Sequence, residues 1–384
     1  MSMNDMLRKM AVRLERKQDA LFSYDVEKQK KYIAGLGDPK DEIERSYFQY
    51  KCQMQFNGRF LTFLLNVVSF PVAMLYLAKY GKNSTTGQVE KKDLVFFRDG
   101  KPANILPKSL QEQYRKIESD PAEGIQLTKT DQAFLRRIIR RYPFSWQFIL
   151  KCLIKIGRYS YAISHYKPEA VAVCAEYSFT SSVLTAYCRQ QKIRHIDVMH
   201  GEKMYYMRDS FFTFDACYVW DSYYADILAS MKADKDQFII EVPSSLCFDE
   251  AFTKTDQFDY TYYLGAETGE VLQKIADTLQ KLSEHGKRIS LRPHPRYSDM
   301  DMIKKLFAFA NIEDTKSVSI EQSLMQTGCV VSLYSTVLSQ ALYNDVAIAI
   351  DDISNPKNYK KLKELGYICL RKEYQLLSEI MEEL

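Results

Sequence analysis

Three short stretches carry side chains suited to chemistry near neutral pH. In "SLRPHPRYS" the imidazole of His294 stands between two prolines, with Arg292 and Arg296 to either side. The prolines stiffen the loop and withhold two backbone donors, so side chains must do the contacting. An imidazole with guanidinium neighbours suits a phosphate or carboxylate held by charge-assisted hydrogen bonds. In "VVSLYSTVLSQAL" an apolar run passes through Tyr334 into Ser335 and Thr336 at an expected helix start. Unpaired backbone N–H groups and the helix dipole favour an anion there, although simple capping also selects Ser and Thr. In "DVMHGEK" His200 precedes Gly201, which permits close backbone approach, and Glu202 follows. His200 is the natural general base near neutral pH, with Glu202, and Glu176 at the end of "AVAVCAEYS", as the acidic candidates.

These residues need elements that bring them together. From residue 168 onward, apolar runs alternate with amphipathic ones. Strands are expected over 169–175, 193–201, 215–221, 259–266, 287–295, 328–333 and 346–351, and helices over 179–191, 269–286, 299–310 and 335–345. Alternation of this length specifies βαβ units and parallel sheets. The expected fold is α/β: a pair of doubly wound Rossmann-type domains facing a cleft, joined near residue 243, with a helical N-terminal region. Residues 1–165 read as that mostly helical region. Residues 166–243 read as an acceptor-side Rossmann-like unit that takes in the strand "DLVFFRDG" from 93–100, and residues 244–384 as a nucleotide-binding unit. Ligands of open α/β sheets bind at the carboxyl ends of strands, where His200, His294 and Ser335 all fall.

The 384 residues carry a net charge of +4, too weak a bias to imply nucleic acid. Eight cysteines are scattered without a Cys-x-x-Cys pair and read as reduced, mostly buried thiols of a cytosolic protein. No metal site is expected, since "DMD" at 299–301 reads as the start of a surface helix. The charged, amphipathic stretch over 1–22 lacks the apolar core of a signal peptide. Residues 60–78 have spanning length but contain Asn66, Ser69 and Pro71, and Arg59, Lys79 and Lys82 flank them. They are expected to form a buried or membrane-resting helical pair, with a true span as the alternative. The basic amphipathic run over 134–163, with Arg136, Arg137, Arg140, Arg141, Lys151, Lys155 and Arg158, suits a solvent face or contact with an anionic inner leaflet.

An "HG" after a central strand, an "R-x-HP" at a strand end and a "YST" helix start, in that order over residues 168–350, resemble bacterial surface-polysaccharide transferases of the GT-B type. Capsule-polysaccharide synthesis proteins, teichoic-acid glycerophosphotransferases and lipooligosaccharide sialyltransferases look similar here. The resemblance implies a nucleotide in the C-terminal domain, its phosphates held by His294, Ser335 and Thr336, and His200 as catalytic base. It implies a metal-independent glycosyltransferase moving a sugar from a nucleotide-activated donor, of CMP or UDP type, to a glycan or lipid-linked acceptor. That enzyme would work in the cytoplasm, peripheral on the inner membrane face, with no resident cofactor. A CDP-linked polyol-phosphate transferase, a non-catalytic subunit of a polysaccharide assembly complex, and a nucleotide-sugar epimerase fit the same residues as rivals.

Overall fold

The computed structural model describes residues 22, 25–81, 90–248 and 252–384. The expected amphipathic stretch over 1–22, apart from Phe22, and the flanking Lys82 lie outside them. The chain divides into two compact units: residues 25–200 with 205–243, and residues 244–384 with 201–204.

The N-terminal unit is a six-stranded, all-parallel sheet built from β1 (Leu94–Phe97), β2 (Ile117–Ser119), β3 (Ala170–Val173), β4 (Arg194–Val198), β5 (Ala216–Val219) and β6 (Phe238–Ile240). The strand order is β2-β1-β3-β4-β5-β6. "LVFF", "AVAV" and "ACYV" are buried along their whole length, as parallel strands covered on both faces must be. The short run "FIIEVPSS" supplies edge strand β6, paired to β5 through Cys217 and Phe238. Its helices are α1 (Val26–Leu36), α2 (Glu42–Met54), α3 (Gly58–Tyr80), α4 (Lys108–Gln113), α5 (Lys129–Arg141), α6 (Trp146–Tyr166), α7 (Ser181–Gln190) and α8 (Ser222–Ser230). Local chemistry sets several of their ends. Asp25 and Asp41 accept from the Lys28 and Glu44 N–H groups at the starts of α1 and α2, and Gly37 closes α1 at φ 74°.

Helix α3 is one continuous helix through Pro71, not the expected pair. Proline deprives the Val67 carbonyl of its donor. Both residues sit on the exposed side, Val67 at 52% exposure, so that carbonyl is not enclosed in the unit's apolar core. The other side is fixed by Asn66, which accepts from the Gln147 N–H at 3.1 Å and donates to the Tyr50 hydroxyl at 3.2 Å. The ring of Phe70 meets Trp146 edge-on at 4.6 Å. Helix α3 is long and apolar enough to cross a membrane by length and composition, and 11% of its apolar window is buried.

The C-terminal unit repeats the parallel theme. Its strands are β7 (Phe258–Tyr263), β8 (Ile289–Arg292), β9 (Asn311–Ile312), β10 (Thr327–Ser332), β11 (Ala347–Ile350) and β12 (Gln375–Leu376), in the order β12-β11-β10-β7-β8-β9. Between them run α9 (Gly269–Glu284), α10 (Met300–Leu306), α11 (Ile320–Met325), α12 (Thr336–Tyr343), α13 (Pro356–Leu365) and, at the end, α14 (Leu377–Glu382). Leu272, Ile275, Leu279 and Leu282 of α9 bury one stripe against Tyr262, Leu291 and Val331. Both units are therefore doubly wound α/β sheets, each with one strand order reversal: between β1 and β3 in the first, between β7 and β10 in the second.

The "DMD" segment starts α10, where Asp299 accepts from the N–H groups of Asp301 and Met302. Seven of the eight cysteines are buried thiols and Cys247 is exposed.

Candidate functional site

The carboxyl edge of the C-terminal sheet carries most of the residues singled out by the sequence. Strand β7 runs between β8 and β10, so the His294 loop and the start of α12 leave the sheet on either side of it. Two strand spacings of about 4.8 Å separate β8 from β10 by roughly 10 Å. His294 is half-buried, its ring stacked on Tyr297 with centroids 4.5 Å apart. Its backbone N–H donates to the Ser298 hydroxyl at 2.8 Å, and its Nδ1 accepts from the Arg296 N–H at 3.1 Å. That bond puts the remaining proton on Nε2, which becomes a donor. Burial pushes the imidazole pKa below the ordinary histidine value, and the Arg296 charge pushes the same way. A neutral N–H donor near pH 7 results.

Ser335 is the N-cap of α12 and accepts from the Val337 N–H at 3.2 Å, while its carbonyl accepts from the Tyr367 hydroxyl at 3.1 Å. Thr336 is the first helical residue and is half-buried. The Tyr334 ring packs edge-on against Tyr367 at 5.3 Å. Below β7, Glu267 accepts from the Gly265 N–H at 2.6 Å, and burial raises its pKa, helped by Asp351.

Arg292 and Arg296 part company. Arg292 pairs with the buried carboxylate of Glu313 at 2.7 Å and donates to the Val318 carbonyl at 3.0 Å, so its guanidinium ties β8 to the segment after β9. Glu313 in turn accepts from Ser323, whose hydroxyl bonds Tyr263 at 2.7 Å. This is a buried structural network. Arg296 is exposed beside the histidine.

In the N-terminal unit, Glu176 and His200 follow adjacent strands β3 and β4. Glu176 is 1% exposed, and its Oε1 lies 3.3 Å from Nδ1 of His200, within ion-pair distance. The Tyr177 ring meets the imidazole edge-on at 5.7 Å, and the Arg208 guanidinium lies over the Tyr177 ring at 5.3 Å. Two glutamines of α2 hold this backbone in place. Gln49 donates to the carbonyls of Glu176 (2.8 Å) and Arg208 (3.0 Å), and Gln53 to those of Tyr177 (2.6 Å) and Arg208 (3.2 Å). None of these four supporting residues was singled out by the sequence. Gln49 and Gln53 stand one turn apart, a spacing that a charged amphipathic helix offers many times over.

The second acidic candidate behaves differently. Glu202 belongs with the C-terminal unit, where its carboxylate accepts from the Ser339 hydroxyl of α12. Glu176 and His200 form a pair within one unit.

No family model and no curated protein matches the chain. Among solved structures, the wall teichoic acid polymerase TagF is similar at 12% identity over 87% of each chain, with a TM-score of 0.46. The UDP-GlcNAc 2-epimerase from Neisseria meningitidis bound to UDP-GlcNAc is similar at 12% identity, over 76% of this chain and 89% of the other, with a TM-score of 0.45. The lipopolysaccharide outer core galactosyltransferase WaaB gives 10% identity, 76% and 94% coverage, and a TM-score of 0.37. Identities and scores this low transfer no residue role, and the assignments below rest on this chain's own geometry.

Proposed function

We propose that this chain is a nucleotide-sugar-dependent glycosyltransferase acting on a surface-polysaccharide or lipid-linked glycan acceptor. The carrying observation is the carboxyl edge of the C-terminal sheet: a neutral imidazole donor and a helix N-terminus leave strands on the two sides of β7. His294 Nε2–H, the Ser335–Thr336 hydroxyls and the first N–H groups of α12 would hold the donor phosphates, with Arg296 adding charge. Arg292, engaged with Glu313, supports the loop instead. A carboxyl at Glu267 disfavours a phosphate at its side and suits a sugar hydroxyl.

The chemistry follows from those roles. An acceptor hydroxyl attacks the anomeric carbon as His200 takes its proton, and Glu176 beside Nδ1 stabilises the imidazolium that forms. The bond from that carbon to the phosphate oxygen breaks, and the electron pair leaves on the nucleotide. Donors aimed at that oxygen lower the barrier without a metal ion. We further propose work at the inner membrane face, because the outer side of α3 leaves Phe60, Phe63 and Leu75 at 80%, 67% and 71% exposure. Arg59 and Lys79 are exposed at its two ends.

A thermal-shift panel of CMP, CDP, UDP, GDP and their sugar conjugates tests the reading. One nucleotide class is expected to raise the melting temperature by mass action, and His294→Ala to diminish that rise at the same nucleotide concentration. A flat panel with folded protein rejects it. A product that carries phosphorus from the donor would instead identify a polyol-phosphate transferase.

A further inference from the structure

The strand-order reversal of the N-terminal sheet, between β1 and β3, has its own cavity. Phe97 and Asp99 line it from the end of β1, Val173 to Ala175 from the end of β3, and Lys155 and Arg158 from α6. The start of α7 closes it, with the Ser178 and Thr180 hydroxyls 2.9 Å apart. The space inside is about 20 Å3, room for one water-sized group.

The charges around it do not balance. Among the described residues Lys155 is half-buried and makes no hydrogen bond or ion pair, and the one carboxylate charge that acts on it is that of Asp99. Arg158 reaches Asp99 only at 3.9 Å and otherwise lies over the Phe97 ring at 5.5 Å. Lys151, one turn earlier on the same face of α6, sits over the Phe179 ring at 4.2 Å and, among the described residues, likewise makes no ion pair. Burial lowers the pKa of both lysines, that of Lys151 to about 8. Lys155 and Arg158 line the cavity with one carboxylate, Asp99, an excess of one positive charge, and Lys151 adds a further cation one turn away on α6. The floor is rigid. The Tyr159 hydroxyl is held at 3.0 Å by His195, and the Ala175 N–H donates to Asp197 at 2.7 Å. The Ser181 N–H already bonds the Ser178 carbonyl and the Val183 N–H the Ser46 hydroxyl, so side-chain charge rather than backbone donors distinguishes the place.

We propose that this cavity is a phosphoryl subsite for the acceptor, which is therefore a phosphorylated or diphosphate-linked glycan. One non-bridging oxygen enters the cavity beside Lys155, and the rest of the dianion stays at the solvent side against Arg158. Counted with Lys151, the cations on this face of α6 outnumber Asp99 by two, the charge of a phosphomonoester dianion. The assignment to the acceptor rests on the transferase reading above. The site itself rests on the cavity and its cations.

The test uses the full chain with inorganic phosphate and pyrophosphate as probes, read by calorimetry beside the nucleotide panel. Pyrophosphate is expected to bind His294→Ala, in which the donor grip is impaired. Lys155→Gln and Arg158→Gln, each made in the His294→Ala background, are expected to weaken that binding about tenfold or more. Retained binding in both double variants overturns the subsite, as does an absence of pyrophosphate binding in folded His294→Ala. Nucleotide binding that Lys155→Gln leaves intact, together with lost pyrophosphate binding, supports the proposal. Lys155-dependent pyrophosphate binding without any nucleotide hit leaves an anion site but overturns both its acceptor role and the transferase reading.

Discussion

At the scale of single residues, His294 illustrates how a ring is prepared as a donor. One nitrogen is occupied by the Arg296 N–H, burial keeps the ring neutral, and Tyr297 stacks on its face. Replacement by alanine is expected to weaken donor-nucleotide binding about tenfold. His294→Gln, which keeps an N–H, should retain more of the affinity; equal affinities for the two variants and the parent would show that the ring touches no phosphate. Glu176→Gln is expected to cut kcat by about tenfold to a hundredfold with little change in KM, because it removes charge stabilisation from His200 and no substrate contact. Steady-state kinetics checks this. The motif around His294 was readable because prolines next to a histidine serve no ordinary turn. The fate of Arg292 was not, since its partner Glu313 lies 21 positions away beyond a two-residue strand. Glu202 misleads for a similar reason: it follows His200 closely in sequence, but its hydrogen-bond partner, Ser339, is 137 residues further on.

At the scale of elements, the apolar run in α3 announced a helix, and its composition could not say which side would be covered. The structure covers the side bearing Ser69 and Ala73 and leaves Phe60, Phe63 and Leu75 bare. Contiguous exposed apolar surface of this kind marks an interaction face. The exposed Phe144 and the exposed Arg136, Arg137 and Arg140 of α5 belong to the same unit. Vesicles containing phosphatidylglycerol are therefore expected to sediment the protein. The combined change Phe60→Asp, Phe63→Asp, Leu75→Asp should release it while far-UV circular dichroism and turnover of a soluble acceptor persist. Sedimentation that survives the triple change would remove α3 from the membrane assignment. In α6 the same ambiguity ran the other way. Its lysines and arginines read as a solvent or lipid face, yet Lys155 and Arg158 line a cavity at the sheet edge. Helical spacing groups them on one face, and only the packing of α6 on the sheet decides what that face meets.

At the scale of the molecule, the two series of βαβ units were visible because strands such as "AVAV", "ACYV" and "AIAI" are unbroken apolar runs between amphipathic helices. Strand β2 of the first sheet was harder to place: Ile117 pairs with Leu94, and three residues carry no local pattern that reports the partner. Assembly of that sheet buries His195 of β4 completely, with Nδ1 against Thr185 at 2.8 Å and Nε2 against Tyr159 at 3.0 Å. Thr185 also donates to the Thr213 carbonyl, so the ring accepts from Tyr159 and is neutral. Burial, with a smaller contribution from Arg189, pushes its pKa down to about 3. The unfolded chain, with an ordinary value of about 6.5, then binds a proton that the folded unit refuses. The stability contribution is complete above about pH 6.5 and is lost progressively as pH falls toward 3, at about 1.4 kcal/mol per unit. Both tryptophans, Trp146 and Trp220, belong to the N-terminal unit, so their fluorescence follows its unfolding alone. Between pH 7.5 and 5.5 the fluorescence midpoint is expected to fall by about 3–6 °C, and His195→Gln should flatten that dependence even at a lower starting midpoint. An unchanged midpoint, or an equal fall in the variant, would mean that the ring is protonated inside the fold and that the Tyr159 floor beneath the Lys155 cavity carries a charge it is not built to hold.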